Sequence, residues 1–117
     1  MVNKDAPFPL QLAEAINLKQ VMQVTGVTLV ETKLNKIGVI VNAEGLTKTV
    51  AWRFIELRPR SSEPQNGIHE FDLIGDGSEA ILDAIGSVEA SFAYPEKPAG
   101  FRGVAVHSET AVITRLL

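Results

Sequence analysis

The densest chemistry in the chain lies in residues 67–77, GIHEFDLIGDG, where one histidine, three carboxylates and three glycines share eleven positions. Strand alternation puts Glu70 and Asp72 on one face, about 7 Å apart. That is close enough to share a hard cation or to act as an acid/base pair, if other segments supply further oxygens. The opposite face carries His69, Phe71 and Leu73, which suits a half-buried histidine among apolar side chains. His107 is the only other histidine. From a neighbouring strand it could join Glu70 or Glu109 around a transition metal, but alternation turns Glu70 away from His69. A carboxylate of EFD could instead take the Arg102 guanidinium in a charge-assisted pair that ties two strands together. The candidate polar cluster is therefore Glu70, Asp72, Arg102, His69 and His107.

Motifs that would assign a reaction are missing. In DLIGDGSE, the residues Asp72, Asp76, Ser78 and Glu79 superficially follow a calcium loop, but the D-x-[DN]-x-[DN]-G order and the closing glutamate are absent. Gly75-Asp76-Gly77 lacks the third glycine of a dinucleotide cradle, because position 80 is alanine, and no Gly-Lys-Ser/Thr marks a phosphate loop. No serine sits in G-x-S-x-G. HSET, 107–110, holds His, Ser and Glu contiguously, so they cannot face one another as base, nucleophile and orienter, and the segment reads as a hairpin turn. The chain has no cysteine, which excludes disulfides, thiol catalysis, iron–sulfur clusters and cysteine-based zinc sites. Neither catalytic residues, nor a metal, nor a cofactor are assigned from sequence.

The elements that must position these groups read as strands. Gly, Pro, Asn and Asp punctuate short segments rich in Val, Ile, Thr and Phe, giving candidate strands at about 20–31, 36–43, 47–57, 68–74, 87–94, 101–107 and 110–116. The pattern predicts an all-β fold, a two-sheet antiparallel β-sandwich of immunoglobulin-like architecture, with a short N-terminal helix or arm over 1–19 and one sandwich domain over 20–117. Ile37, Val39 and Val41 share one face, and Val50, Trp52 and Phe54 share a face of the next strand. Asn42 to Gly45 is read as the hairpin turn between them, with Gly45 at φ > 0. Gly75 and Gly77 are read as the φ > 0 residues of a second turn. FRGVAVH and TAVITRLL form another hairpin. RPRSSEPQNG, 58–67, is a polar connection that could cross between sheets, and Trp52 is read as a core plug. Two segments keep alternatives open: 9–22 as a helix or an extended arm, and 78–86 as a two-turn helix or, as favoured here for 80–85, extended chain.

Composition narrows the partners. At 117 residues, 45% hydrophobic and 21% charged, the chain suits one domain with one core. A net charge of −3 and no basic run denser than LRPR, 57–60, argue against nucleic acid. No apolar stretch reaches the roughly 20 residues of a membrane span. No leader pattern opens the chain, which favours a cytoplasmic location and leaves the periplasm open if a leader was removed.

Three fragments carry a resemblance: a Gly/Val-x-Trp element, then GIHEFDLIG, then FRGVAVHSET. They resemble the G-I-x-E-F-D-F-V-A and L-R-G-V-R-V-x-A-x-T segments of a family of small bacterial β-sandwich-like proteins of unknown function. The match covers roughly residues 36–111, on Trp52, Gly67, Ile68, Glu70, Phe71, Asp72, Arg102, Gly103, Val104, Val106 and Thr110. The family's Asn-Pro after Trp is Arg53-Phe54 here, and its Thr-Asn is Thr110-Ala111. The resemblance implies weight on Glu70, Asp72 and Arg102 and supplies no catalytic residues.

From sequence, then, the expected function is a non-enzymatic binding or protein-interaction module acting through a sheet face, a loop end or an exposed edge strand, with a homodimer or another protein as partner. The alternatives are a small metal-dependent or carboxylate-based hydrolase using Glu70, Asp72 and a histidine, and a protein inhibitor acting through loops 58–67 and 95–100.

Overall fold

The structure, a computed structural model, describes residues 17–78 and 83–117. Among these residues it has eight strands: β1 Leu18–Gln20, β2 Gln23–Lys33, β3 Ile37–Thr47, β4 Arg53–Pro59, β5 Ile68–Asp76, β6 Gly86–Tyr94, β7 Gly103–His107 and β8 Val112–Leu116. Two sheets pack face to face as a β-sandwich. One runs β2-β3-β6; the other is five-stranded, with β5 at its centre. β4 lies along one side of β5, while β7 and β1 share the other side, β7 against residues 68–72 and β1 against 74–76. β8 closes that sheet beyond β7.

The pairing departs from the expected all-antiparallel sandwich at one place: β5 and β7 run parallel. The chain leaves β5, crosses to the other sheet as β6 and returns, so β7 enters beside β5 in the same direction. The core between the sheets is built from alternating residues, among them Val24, Val27, Val39, Val41, Leu57, Phe71, Leu73, Val104 and Val106. Each such side chain, fully buried, contributes about 1.5–3 kcal/mol of transfer free energy. Of the predicted face Ile37-Val39-Val41, Val39 and Val41 are buried while Ile37, at the start of β3, is exposed; Phe71 and Leu73 lie on the inner face of β5.

Several local expectations are corrected. Asn42 to Gly45 is not a turn: β3 runs straight through it, pairing with β2 on one side and β6 on the other. Gly45 is a glycine because a Cβ there would press at 2.9 Å on both the Gln23 carbonyl oxygen and Leu73, a steric need rather than a positive φ. The β2–β3 hairpin instead turns at residues 34–36. The connection 60–67 joins β4 to β5 within one sheet rather than crossing between sheets. Its tight turn lies at Asn66-Gly67, both at positive φ (55° and 76°), with Ile68 N–H donating to the Gln65 carbonyl at 3.0 Å, as an asparagine-glycine hairpin turn requires.

Gly75 and Gly77 likewise have no positive φ. They form the bed on which the Trp52 indole lies: a Cβ at Gly77 would sit 2.5 Å from Trp52 Nε1, and one at Gly75 would sit 3.2 Å from its ring. The indole N–H donates to Thr49 Oγ1 at 2.9 Å, so Trp52 packs against the core with its polar edge satisfied. Phe54 does not share its face. A bulge between Arg53 and Glu56 breaks the alternation of β4, and Phe54, at φ 55°, turns half into solvent under the Arg53 guanidinium.

At the N-terminal end, Leu18–Gln20 is a strand, not a helix; residues 1–16 of the predicted helix or arm lie outside the described residues, as do residues 79–82 of the 78–86 segment. HSET is the hairpin turn between β7 and β8, and it is stapled to the β1–β2 junction. Ser108 Oγ accepts from Val24 N–H at 2.8 Å and donates to the Ala111 carbonyl at 2.8 Å, while Thr110 Oγ1 donates to the Met22 carbonyl at 2.7 Å.

Candidate functional site

Strand alternation projects Glu70 and Asp72 from the outer face of the five-stranded sheet, away from the core. Register brings their partners. Arg58 is opposite Asp72 on β4, His107 is opposite Asp72 on β7, and Gln20 reaches the same point from β1. Just beyond β4, Arg60 is fixed by its backbone N–H donating to the Glu70 carbonyl at 2.8 Å. Its guanidinium then closes a two-pronged contact on Asp72, Nε to Oδ2 at 3.0 Å and Nη2 to Oδ1 at 2.9 Å. Gln20 Nε2 donates to Asp72 Oδ1 at 2.8 Å. Arg60, with Gln20 behind it, holds the Asp72 carboxyl below its ordinary value, and the same contact raises Arg60. Arg58 is raised by its own two bonds to Glu56, both at 3.0 Å.

Beside this network, His107 Nε2 and a Glu70 carboxylate oxygen form a direct contact. The four-strand array of charges is thus assembled from β1, the end of β4, β5 and β7. An open groove of about 780 Å³ runs along it, bordered by Leu18, Gln20, Arg58, Arg60, Ser61, Ser62, Asp72 and Ile74.

His69 and Arg102 are not part of this array. His69 faces inward, as alternation requires, and belongs to an aromatic box with Tyr94 and Phe101, ring centroids at 5.7 and 5.1 Å. Tyr94 Oη lies 3.4 Å from His69 Nδ1. Burial lowers the histidine and raises the phenol, so Tyr94 keeps its proton and His69 favours the neutral ring. A smaller pocket of about 290 Å³ opens above the pair, rimmed by Arg60, Ser61, Glu63 and Glu70. The expected pairing of Arg102 with Glu70 or Asp72 is corrected. Arg102 extends into solvent and its Nη1 donates to the Asn66 carbonyl at 3.4 Å, while Arg60 takes Asp72. Parallel pairing sets Ile68 opposite Gly103, which places Arg102 beside the Asn66-Gly67 turn and beyond the reach of Asp72.

Sequence reasoning missed Arg60 and Gln20. Arg60 carried a usable signal: Arg58 and Arg60 alternate with Pro59, so a strand pairing β4 with β5 would have set both arginines over the EFD face. Gln20 carried none, since it lies 52 residues from its partner.

The third carboxylate, Asp76, has a separate role. It is buried at the end of β5, where Ser78, through its side chain and its backbone N–H at 2.9 Å from Oδ1, lowers it further than burial raises it. Arg53 Nη2 stands 3.5 Å from its other oxygen. Among the described residues no three His, Cys, Asp or Glu side chains converge as metal ligands, and no helix is long and apolar enough to cross a membrane.

No protein-family model, curated protein or solved structure matches this chain.

Proposed function

We propose that this protein is a non-enzymatic binding module whose recognition surface is the outer face of the five-stranded sheet, along the groove between β1 and the Arg58–Ser62 segment. One observation carries the reading. The charged groups satisfy one another in pairs on an open face, beside a groove of about 780 Å³, rather than converging with a nucleophile in an enclosed pocket. A pre-paired array of this kind is a rigid template of donors and acceptors, the sort of surface that reads the polar side chains of another protein. The groove's aliphatic floor, Leu18 and Ile74, would take the apolar stems between them. On this reading the protein belongs with the small bacterial β-sandwich proteins that GIHEFDLIG and FRGVAVHSET resemble.

A photo-crosslinking residue at the exposed Ser62 tests the proposal in lysate of the source cells, with mass spectrometry of what is captured. One protein partner is expected with the wild-type groove, with capture lost in Arg58→Glu. Capture unaffected by that charge reversal would refute the groove as the binding surface.

The contact between His107 and Glu70 favours a second reading, a carboxylate-based hydrolase in which Glu70 orients His107 as base. Turnover of ester, phosphate or peptide substrates by the wild type, lost in both His107→Ala and Glu70→Gln, would replace the binding reading with this one.

A further inference from the structure

A sheet edge exposes a row of unpaired backbone groups, and natural proteins blunt such edges with bulges, prolines and charges. Among the described residues five strands have a side open: β1 is only three residues long, and three of the other four are blunted. β4 has its bulge between Arg53 and Glu56 and ends on Pro59. β2 has a bulge between Val24 and Gly26, carries Glu31 and Lys33, and has its Val27 carbonyl occupied by Arg115 Nε at 2.9 Å. β6 carries Glu89 between two serines along the outer face of its sheet. β8, Val-Ile-Thr-Arg-Leu, has neither bulge nor proline, and its single charge, Arg115, is turned to β2.

The register of β8 defines what its open edge offers. Ser108 N–H donates to the Ala111 carbonyl at 2.9 Å and Leu117 N–H to the Arg102 carbonyl at 2.9 Å. Hydrogen-bonded pairs alternate along an antiparallel ladder, so Ile113 and Arg115 bond to β7. The N–H and C=O groups of Val112, Thr114 and Leu116 therefore point outward and have no partner among the described residues. The side chains of the same three residues lie on the outer face. Val112 is 54% exposed and Leu116 59%, large values for apolar side chains on a sheet.

We infer that β8 pairs with β8 of a second copy of this chain, antiparallel and centred on Thr114. The sequence is self-complementary in that register. Val112 falls opposite Leu116 of the other copy at both ends, Thr114 meets Thr114 across the two-fold axis, and each Arg115 lies beside Ile113, so like charges never face each other. Apolar and Thr–Thr cross-strand pairs are the favourable kinds. Outward-facing N–H and C=O groups of the three residues on each strand close the ladder. The axis stands perpendicular to the sheet, so both outer faces, with their Arg60–Asp72 arrays, look the same way. A partner that presents two copies of its binding segment would then meet a bivalent surface. A contact one strand wide buries less than the about 1,200 Å² of a standard interface, which makes the dimer weak. This inference stands apart from the proposed binding function, because β8 contributes nothing to the groove.

Sedimentation of the full chain from low to high micromolar concentration, with Val112→Lys and V112K/L116E alongside, reads the association and its register. Wild type is expected to dimerise, V112K to weaken the dimer at least tenfold, and V112K/L116E to restore it, since residue 112 of one copy faces residue 116 of the other. In a chain without cysteine, Thr114→Cys should crosslink to itself under mild oxidation, the Cα atoms of such a pair being about 5.5 Å apart and within disulfide reach. Thr28→Cys, exposed on the other sheet, should not. A monomer at every concentration, or a dimer that V112K leaves intact and Thr114→Cys fails to trap, would overturn the inference.

Discussion

Alanine substitution of Arg60 and Asp72, singly and together, measures how firmly the array on the outer face is built. The pair has two near-parallel charge-assisted bonds at 2.9 and 3.0 Å, with side chains 37% and 24% exposed. Fully exposed pairs couple by about 0.2–1 kcal/mol; two-pronged geometry and partial shielding raise this, so a coupling of about 1 kcal/mol is expected from the double-mutant cycle. With a urea slope of about 1.5 kcal/mol/M, that coupling corresponds to a midpoint shift of about 0.7 M. Trp52 is the only tryptophan and lies outside the pair, so its fluorescence reports unfolding in all four proteins. The sign with pH follows from Arg60 holding Asp72 below its ordinary value. The contribution is fully present above about pH 4 and is lost as pH falls through the lowered folded-state value. A coupling under about 0.3 kcal/mol at pH 7, the low end of what exposed pairs give, would refute the claim that the array is a rigid template. A coupling unchanged at pH values that protonate Asp72 would refute its electrostatic origin.

Other outcomes follow from the same geometry. His69 is lowered by burial, so unfolding takes up a proton below about pH 6.5, and wild-type stability should decline from there as pH falls while His69→Phe flattens that part of the profile; an unchanged profile would remove His69 as the cause. Gly77→Ala should cost about 1–3 kcal/mol in chemical denaturation and shift Trp52 emission, because the indole must move. Gly100→Ala, at φ 74° in open space, should cost about 1 kcal/mol and leave the emission alone. Glu44 and Glu89 face each other across β3 and β6, so Glu89→Lys should stabilise the protein by about 0.2–1 kcal/mol, read as a raised melting temperature.

Alternation made much of β5 legible. Period two separated Phe71 and Leu73, which are fully buried, from Glu70 and Asp72 on the other face, because side-chain direction in a strand is fixed by the backbone and needs no knowledge of neighbours. Glycine is less legible. The sequence predicts turns at Asn42 to Gly45 and at Gly75 to Gly77, yet their glycines are there to let Leu73 and Trp52 come close. The turn with the strongest local signal, Asn66-Gly67, lay inside a segment read as a cross-sheet linker. A glycine required by φ and one required by a distant side chain look identical in a sequence.

What the sequence alone determined was the kind of molecule: β strands with one buried face, no thiol chemistry, no phosphate loop, and a charged pair aimed away from the core. Those properties depend on residue type and on a period of two. The tertiary structure decided which charges meet. Asp72 takes Arg60 and Gln20, twelve and fifty-two residues away, and Glu70 takes His107 across a parallel pairing. Parallel pairing of β5 with β7 followed from a crossover through the other sheet, and register between strands is set by the burial of both faces of the sandwich together. No local stretch of sequence contains that sum, which is why Arg102 looked like the partner of GIHEFDLIGDG and Arg60 proved to be.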